Sequence, residues 1–87
     1  MALSFAAARH LTLIDGLALS NYINTPNPGT PFYACVCLME NSTSYFVLAH
    51  PYIYSNDQKN PCEFQSLIDV VQFLEMNQIR RFYVDGT

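Results

Sequence analysis

The chain has 87 residues, enough for one domain, and 51% of them are hydrophobic. A net charge of −3 with only four basic residues argues against a protein that tracks a nucleic-acid backbone. No apolar run reaches the roughly 20 residues of a membrane span, and the N-terminus lacks the basic start and apolar core of a signal peptide, so a cytoplasmic protein without a membrane segment is expected.

Residues 3–23 carry two competing patterns. Thr12-x-x-Asp15 can cap a helix, and Ala7, Leu11, Ile14, Ala18 and Tyr22 would then share one face. Asp15-Gly16, between L-T-L-I and L-A-L-S, is instead a hairpin signal. Leu and Ala outnumber β-branched residues, which favours an N-terminal helix, with hairpin as the alternative.

Residues 24–31 form a loop, because three prolines and a glycine forbid regular structure there. Residues 32–39 read as an apolar strand, and Glu40 with Asn41-Ser42-Thr43 reads as a turn. A second strand spans 44–49 and resumes at 52–54 after a break at His50-Pro51. A polar loop follows at 55–60.

Residues 60–84 carry the clearest pattern. Leu67, Val70, Val71 and Leu74 fall at i, i+3, i+4 and i+7, one stripe of a helix over 62–76. Two start signals compete: Ser66 with Asp69, and Asn60 with Pro61 and Glu63. Asn77 can adopt the left-handed conformation that ends a helix. A strand at 79–84 then puts Phe82 and Val84 on one face and Ile79, Arg81 and Tyr83 on the other, and Asp85-Gly86 stops it.

These pieces predict an α+β domain spanning the whole chain. An antiparallel hairpin, 32–39 with 44–54, is followed by a right-handed crossover helix. The last strand is expected to run parallel to the second and lie beside the first, giving a mixed sheet of order 2-1-3 with the helix on one face. Both alternating sets of the central strand are apolar, Phe32/Ala34/Val36/Leu38 and Tyr33/Cys35/Cys37/Met39. A strand of that kind is buried on both faces. The helix covers one. The other calls for the N-terminal segment, a second copy of the chain, or another protein.

Cys35, Cys37, Cys62 and His50 have the composition of a zinc site. Two residues apart on a strand, however, side chains point the same way about 6.6–7 Å apart, too far for two thiolates on one ion or for a disulfide. The cysteines read as small buried hydrophobes, and no metal or cofactor is expected. Cys62 and His50 could form a nucleophile and base, but nothing nominates an oxyanion hole or an orienting group, and no catalytic residue is assigned. His10 reads as a solvated side chain. Glu63, Asp69 and Glu75 are solvated helix residues or an acidic strip facing a basic partner. Strand aromatics beside arginine are also how RNA-recognition sheets stack bases, but the basic content is too low for that use.

Charged residues are 13% of the chain, and between Gly16 and Asn56 Glu40 is the only one. Depleted charge with enriched tyrosine marks interface cores. The expected function is a non-catalytic protein-binding module that acts by occupying a partner's surface. Tyr45, Tyr52, Tyr54, Arg80, Arg81 and Tyr83 are its expected anchors. Small inhibitors of host defence complexes carried by phages or mobile elements, such as anti-CRISPR proteins, are the concrete form, alike in size and in lack of chemistry rather than in motif. The alternatives are a self-associating subunit, a homodimer joined through a sheet face or edge, and a Cys62–His50 thiol enzyme.

Overall fold

The computed structural model describes residues 2–25, 29 and 31–85, and these form an α+β fold of three helices on one five-stranded mixed sheet. Residues 26–28 and 30 of the loop expected at 24–31, and Gly86 of the expected strand stop, lie outside the described residues.

The N-terminal segment is neither one helix nor a hairpin. Ser4 caps a short helix, α1 (Phe5–Ala8), its hydroxyl oxygen accepting from the Ala7 N–H at 3.1 Å. A strand, β1 (Thr12–Ile14), follows, and then α2 (Gly16–Asn24). Asp15 opens α2, accepting from the Ala18 N–H at 2.8 Å and so satisfying one of the donors a helix leaves unbonded in its first turn. Asp15-Gly16 is therefore a helix start, not a hairpin turn. The helix expected across 3–23 is interrupted because Thr12, Leu13 and Ile14 pair in parallel with Tyr52, Ile53 and Tyr54.

β2 (Ala34–Leu38) and β3 (Tyr45–Ala49) form the expected antiparallel hairpin, with Cys37 opposite Phe46. Residues 52–54 do not prolong β3. The chain doubles back at His50-Pro51, and β4 (Tyr52–Tyr54) pairs antiparallel with β3, Leu48 opposite Ile53. The last strand, β5 (Phe82–Asp85), runs parallel to β2, with Ala34 opposite Phe82, not parallel to β3 as expected. The order β1-β4-β3-β2-β5 thus differs from the three-strand 2-1-3 arrangement. The two added strands come from segments assigned to a helix and to a strand extension. Leu3 continues the line of β5 along β2: its N–H donates to Leu38 at 2.9 Å, and its carbonyl accepts from the Glu40 N–H at 2.8 Å.

The final helix, α3 (Leu67–Met76), starts five residues later than 62. Phe64 and Tyr45 exchange two backbone hydrogen bonds of 2.8 Å, which hold the chain extended just before the helix. Ser66 then caps it, accepting from the Asp69 N–H at 3.2 Å. At the other end Asn77 stays at φ −101, and Gln78 takes the left-handed conformation at φ 56. The Ile79 N–H donates to Leu74 at 2.9 Å and the Gln78 N–H to Glu75 at 3.1 Å, the paired bonds of a Schellman cap. That cap consumes Ile79, so the strand expected from 79 begins at Phe82.

Each face of the sheet has its own core. Under α2 and α3, Ala34, Val36, Val47 and Ala49 pack with Leu19, Ile23, Val70, Leu74 and Ile79. On the opposite face Phe46 and Ile53 meet Ala8 of α1, walled by Leu3, Phe5, Leu11, Leu13, Met39 and Leu48. Each large, fully buried aliphatic or aromatic side chain here contributes about 1.5–3 kcal/mol. β2 is interior to the sheet and covered on both sides, with Cys35 and Cys37 buried, while Tyr33 just before it is exposed. The cover for the second face comes from the N-terminal segment. Burial of the central strand therefore needs no outside protein.

Candidate functional site

The apolar stripe read from the sequence of α3 is only half inward. Val70 and Leu74 are buried, whereas Leu67 and Val71 are exposed. Phe73 explains the rotation. Its ring lies 4.2 Å from that of Tyr54 and 5.3 Å from that of Phe64, and this aromatic cluster turns 70, 73, 74 and 77 toward the sheet. Leu67, Ile68 and Val71 are left on the outer side, with Ile68 69% exposed. With Gln72 and Glu75 they line a shallow apolar groove of 330 Å³. Glu75 is the carboxylate that lines it, and Asp69 instead lines a separate hollow with Leu17, Tyr54 and Phe73. An apolar centre with a polar rim, here Gln72 and Glu75, is the usual anatomy of a protein-binding patch.

The second exposed apolar feature is β5. It is the last strand of the sheet, and Phe82, Tyr83 and Val84 are all exposed, Tyr83 at 53% and Val84 at 52%. A groove of 380 Å³ lined by Leu74, Glu75, Gln78, Ile79, Arg80 and Phe82 runs between the end of α3 and this strand. The Tyr83 and Cys35 side chains share a hydrogen bond, which pushes the Tyr83 hydroxyl pKa up. Burial raises the Cys35 thiol, an effect that this hydrogen bond opposes.

The expected anchors fall into two groups. Arg80 and Tyr83 are exposed at the β5 end of the sheet. Arg81 is used internally: its Nε donates to the Phe32 carbonyl at 2.9 Å and a terminal nitrogen donates to the Ile23 carbonyl. It thereby places a cation at the carbonyl end of α2, where the helix dipole favours one. Tyr45, Tyr52 and Tyr54 lie three strand spacings from β5 or fewer, up to about 14 Å across the sheet. All three are half-buried under the helices. Tyr52 meets the Tyr22 ring edge-on at 4.9 Å, and Tyr22 stacks on Phe32 at 4.6 Å. Burial pushes the Tyr54 hydroxyl pKa up. These rings are packing surface for α2 and α3, not an open platform on which bases could stack. The outer side of α3 carried a sequence signal of its own, Ile68 off the expected stripe, but the rotation that exposes Leu67 and Val71 depends on Phe73 finding Tyr54.

The cysteines show no activated thiol. Burial, then Asp57 and Glu63, push Cys62 up, opposite to the shift that a thiolate nucleophile needs. Cys37 is raised by burial and by the neighbouring Cys35. Among the described residues no three His, Cys, Asp or Glu side chains gather as a metal-binding group. No described helix is long and apolar enough to cross a membrane.

The molecule belongs to the class of small α+β domains built on a mixed five-stranded sheet. Compared with known proteins, it matches no protein family, no curated protein and no solved structure.

Proposed function

We propose that the protein is a non-catalytic binding module that occupies a partner protein's surface with the outer side of α3. The observation that carries this reading is the exposed groove of Leu67, Ile68 and Val71, edged by Gln72 and Glu75. Its complement is an apolar ridge with a basic residue placed to meet Glu75, since like charges across a rim repel and opposite ones steer docking. Arg80 and Tyr83 extend the contact toward β5, as the sequence suggested. An inhibitor of a host defence complex, carried by a phage or mobile element, is the concrete form of this reading. Small size and a mildly acidic balance support it.

The test is a pull-down from the natural host's lysate with wild type, Ile68→Glu/Val71→Glu, and a distant Glu40→Lys control. The α3 variant should lose a partner that wild type and control both retain. Equal recovery by all three would remove α3 as the contact. A self-associating subunit is the second reading, favoured by the open flank of β5.

A further inference from the structure

The flank of β5 has the features of a self-complementary edge, and we infer that two copies of this chain pair antiparallel through it. The inference deepens the self-association reading and does not depend on the α3 site. The Ala34 N–H donates to the Arg81 carbonyl at 2.9 Å, which turns the backbone groups of Arg81 toward β2. Polar groups of successive strand residues point to alternate sides. Those of Phe82 and Val84 therefore face away from the sheet, where a second strand would meet them. Natural edges are blunted by proline, lysine or bulges, and Phe82-Tyr83-Val84 has none of these.

The occupant follows from the strand's own chemistry. The exposed Arg80 precedes β5 and Asp85 ends it. Turned about a two-fold axis through Tyr83, each strand's basic end meets the other's acidic end. The same register sets Phe82 opposite the partner copy's Val84, twice, with the outward N–H and C=O of both residues exchanging hydrogen bonds. The axis stands perpendicular to the sheet, so α2 and α3 of both copies lie on one side of a ten-stranded sheet. On that side the groove lined by Leu74, Ile79 and Phe82 lies beside the seam and has room for the partner copy's Val84.

Sedimentation equilibrium over a wide concentration range reads the mass, and amide hydrogen exchange at the two extremes reads the seam. Wild type should rise from the mass of one chain toward that of two, with exchange at Phe82 and Val84 slowed severalfold at high concentration. Val84→Pro removes an outward N–H without touching a bond to β2, and should hold the chain at single mass. The exchange measurement on wild type stands even where that variant folds poorly. Ile68→Glu/Val71→Glu should dimerise as wild type does, which separates failure at β5 from failure at α3. A chain that stays at single mass throughout overturns the self-pairing and leaves the edge to a strand of a different protein. A dimer with unchanged exchange at Phe82 and Val84 overturns the seam.

Discussion

Ser20 and Asn77 stand 57 positions apart, and the Ser20 hydroxyl donates to the Asn77 carbonyl at 2.5 Å. The bond ties the middle of α2 to the cap of α3. Ser20 is buried and also accepts from Asn24 Nδ2 at 3.2 Å. Ser20→Ala strands a partly buried carbonyl and should cost about 1–3 kcal/mol. Urea unfolding would show a lower midpoint at unchanged slope. A midpoint within error of wild type would mean that this bond contributes nothing.

Gln78 sits at φ 56 in the cap that ends α3. A side chain in the left-handed region costs about 1–2 kcal/mol, and glycine's extra freedom in the unfolded chain returns about 0.5–1 kcal/mol of that. Gln78→Gly should therefore raise stability by roughly 0.5–1 kcal/mol, read as a higher thermal midpoint. A lower midpoint would place the strain elsewhere.

Asp57 organises the loop before α3. Its carboxylate accepts from the Lys59 N–H at 2.8 Å and the Asn60 N–H at 3.0 Å. The bond from the Asn60 N–H, then that from Lys59, holds its pKa below the usual aspartate range. A depressed carboxylate stabilises fully above its unfolded pKa, and the benefit drains as pH falls through the lower folded value. The stability gap between wild type and Asp57→Asn should thus be constant near neutrality and close progressively below about pH 4. Titrating both proteins with urea at several pH values measures it, and a gap independent of pH would refute the assignment.

Cys62 should react with iodoacetamide near neutral pH more slowly than free cysteine, because its thiol is raised and only partly exposed. Cys35 and Cys37, both buried in the central strand, should label only after unfolding. Mass spectrometry of the alkylated peptides resolves the three sites. A Cys62 faster than free cysteine would restore the case for a thiol nucleophile.

The α+β character could be read from particular residues. Val70 and Leu74 announce α3, Ser66 gives its start, and the doubly apolar run around Val36 demands cover on both faces. What could not be read depends on long-range partners. Thr12-Leu13-Ile14 has too few residues to declare itself a strand, and becomes one only beside Tyr52 to Tyr54. Phe64 is kept out of the helix by Tyr45, 19 positions away in sequence and joined to it by two backbone bonds. Tyr45, Tyr52 and Tyr54 alternate along their strands as exposed anchors would. Which face the helices cover is not written in that alternation, and α2 and α3 pack against the tyrosine side. Arg80 was legible as surface because an arginine is rarely buried unless it is paired.

The sheet's two margins are supplied by the first and last strands of the chain, while its three inner strands come from the continuous stretch between residues 34 and 54. A protease that clipped away residues 82–85 would not merely shorten the molecule. It would shift the margin inward to β2, whose side chains are apolar front and back, and expose a flank that reads Ala-Cys-Val-Cys-Leu without a charge or a proline. Such a flank is a seed for fibre growth, so intact C-terminal residues are what keep this small sheet from templating its own aggregation.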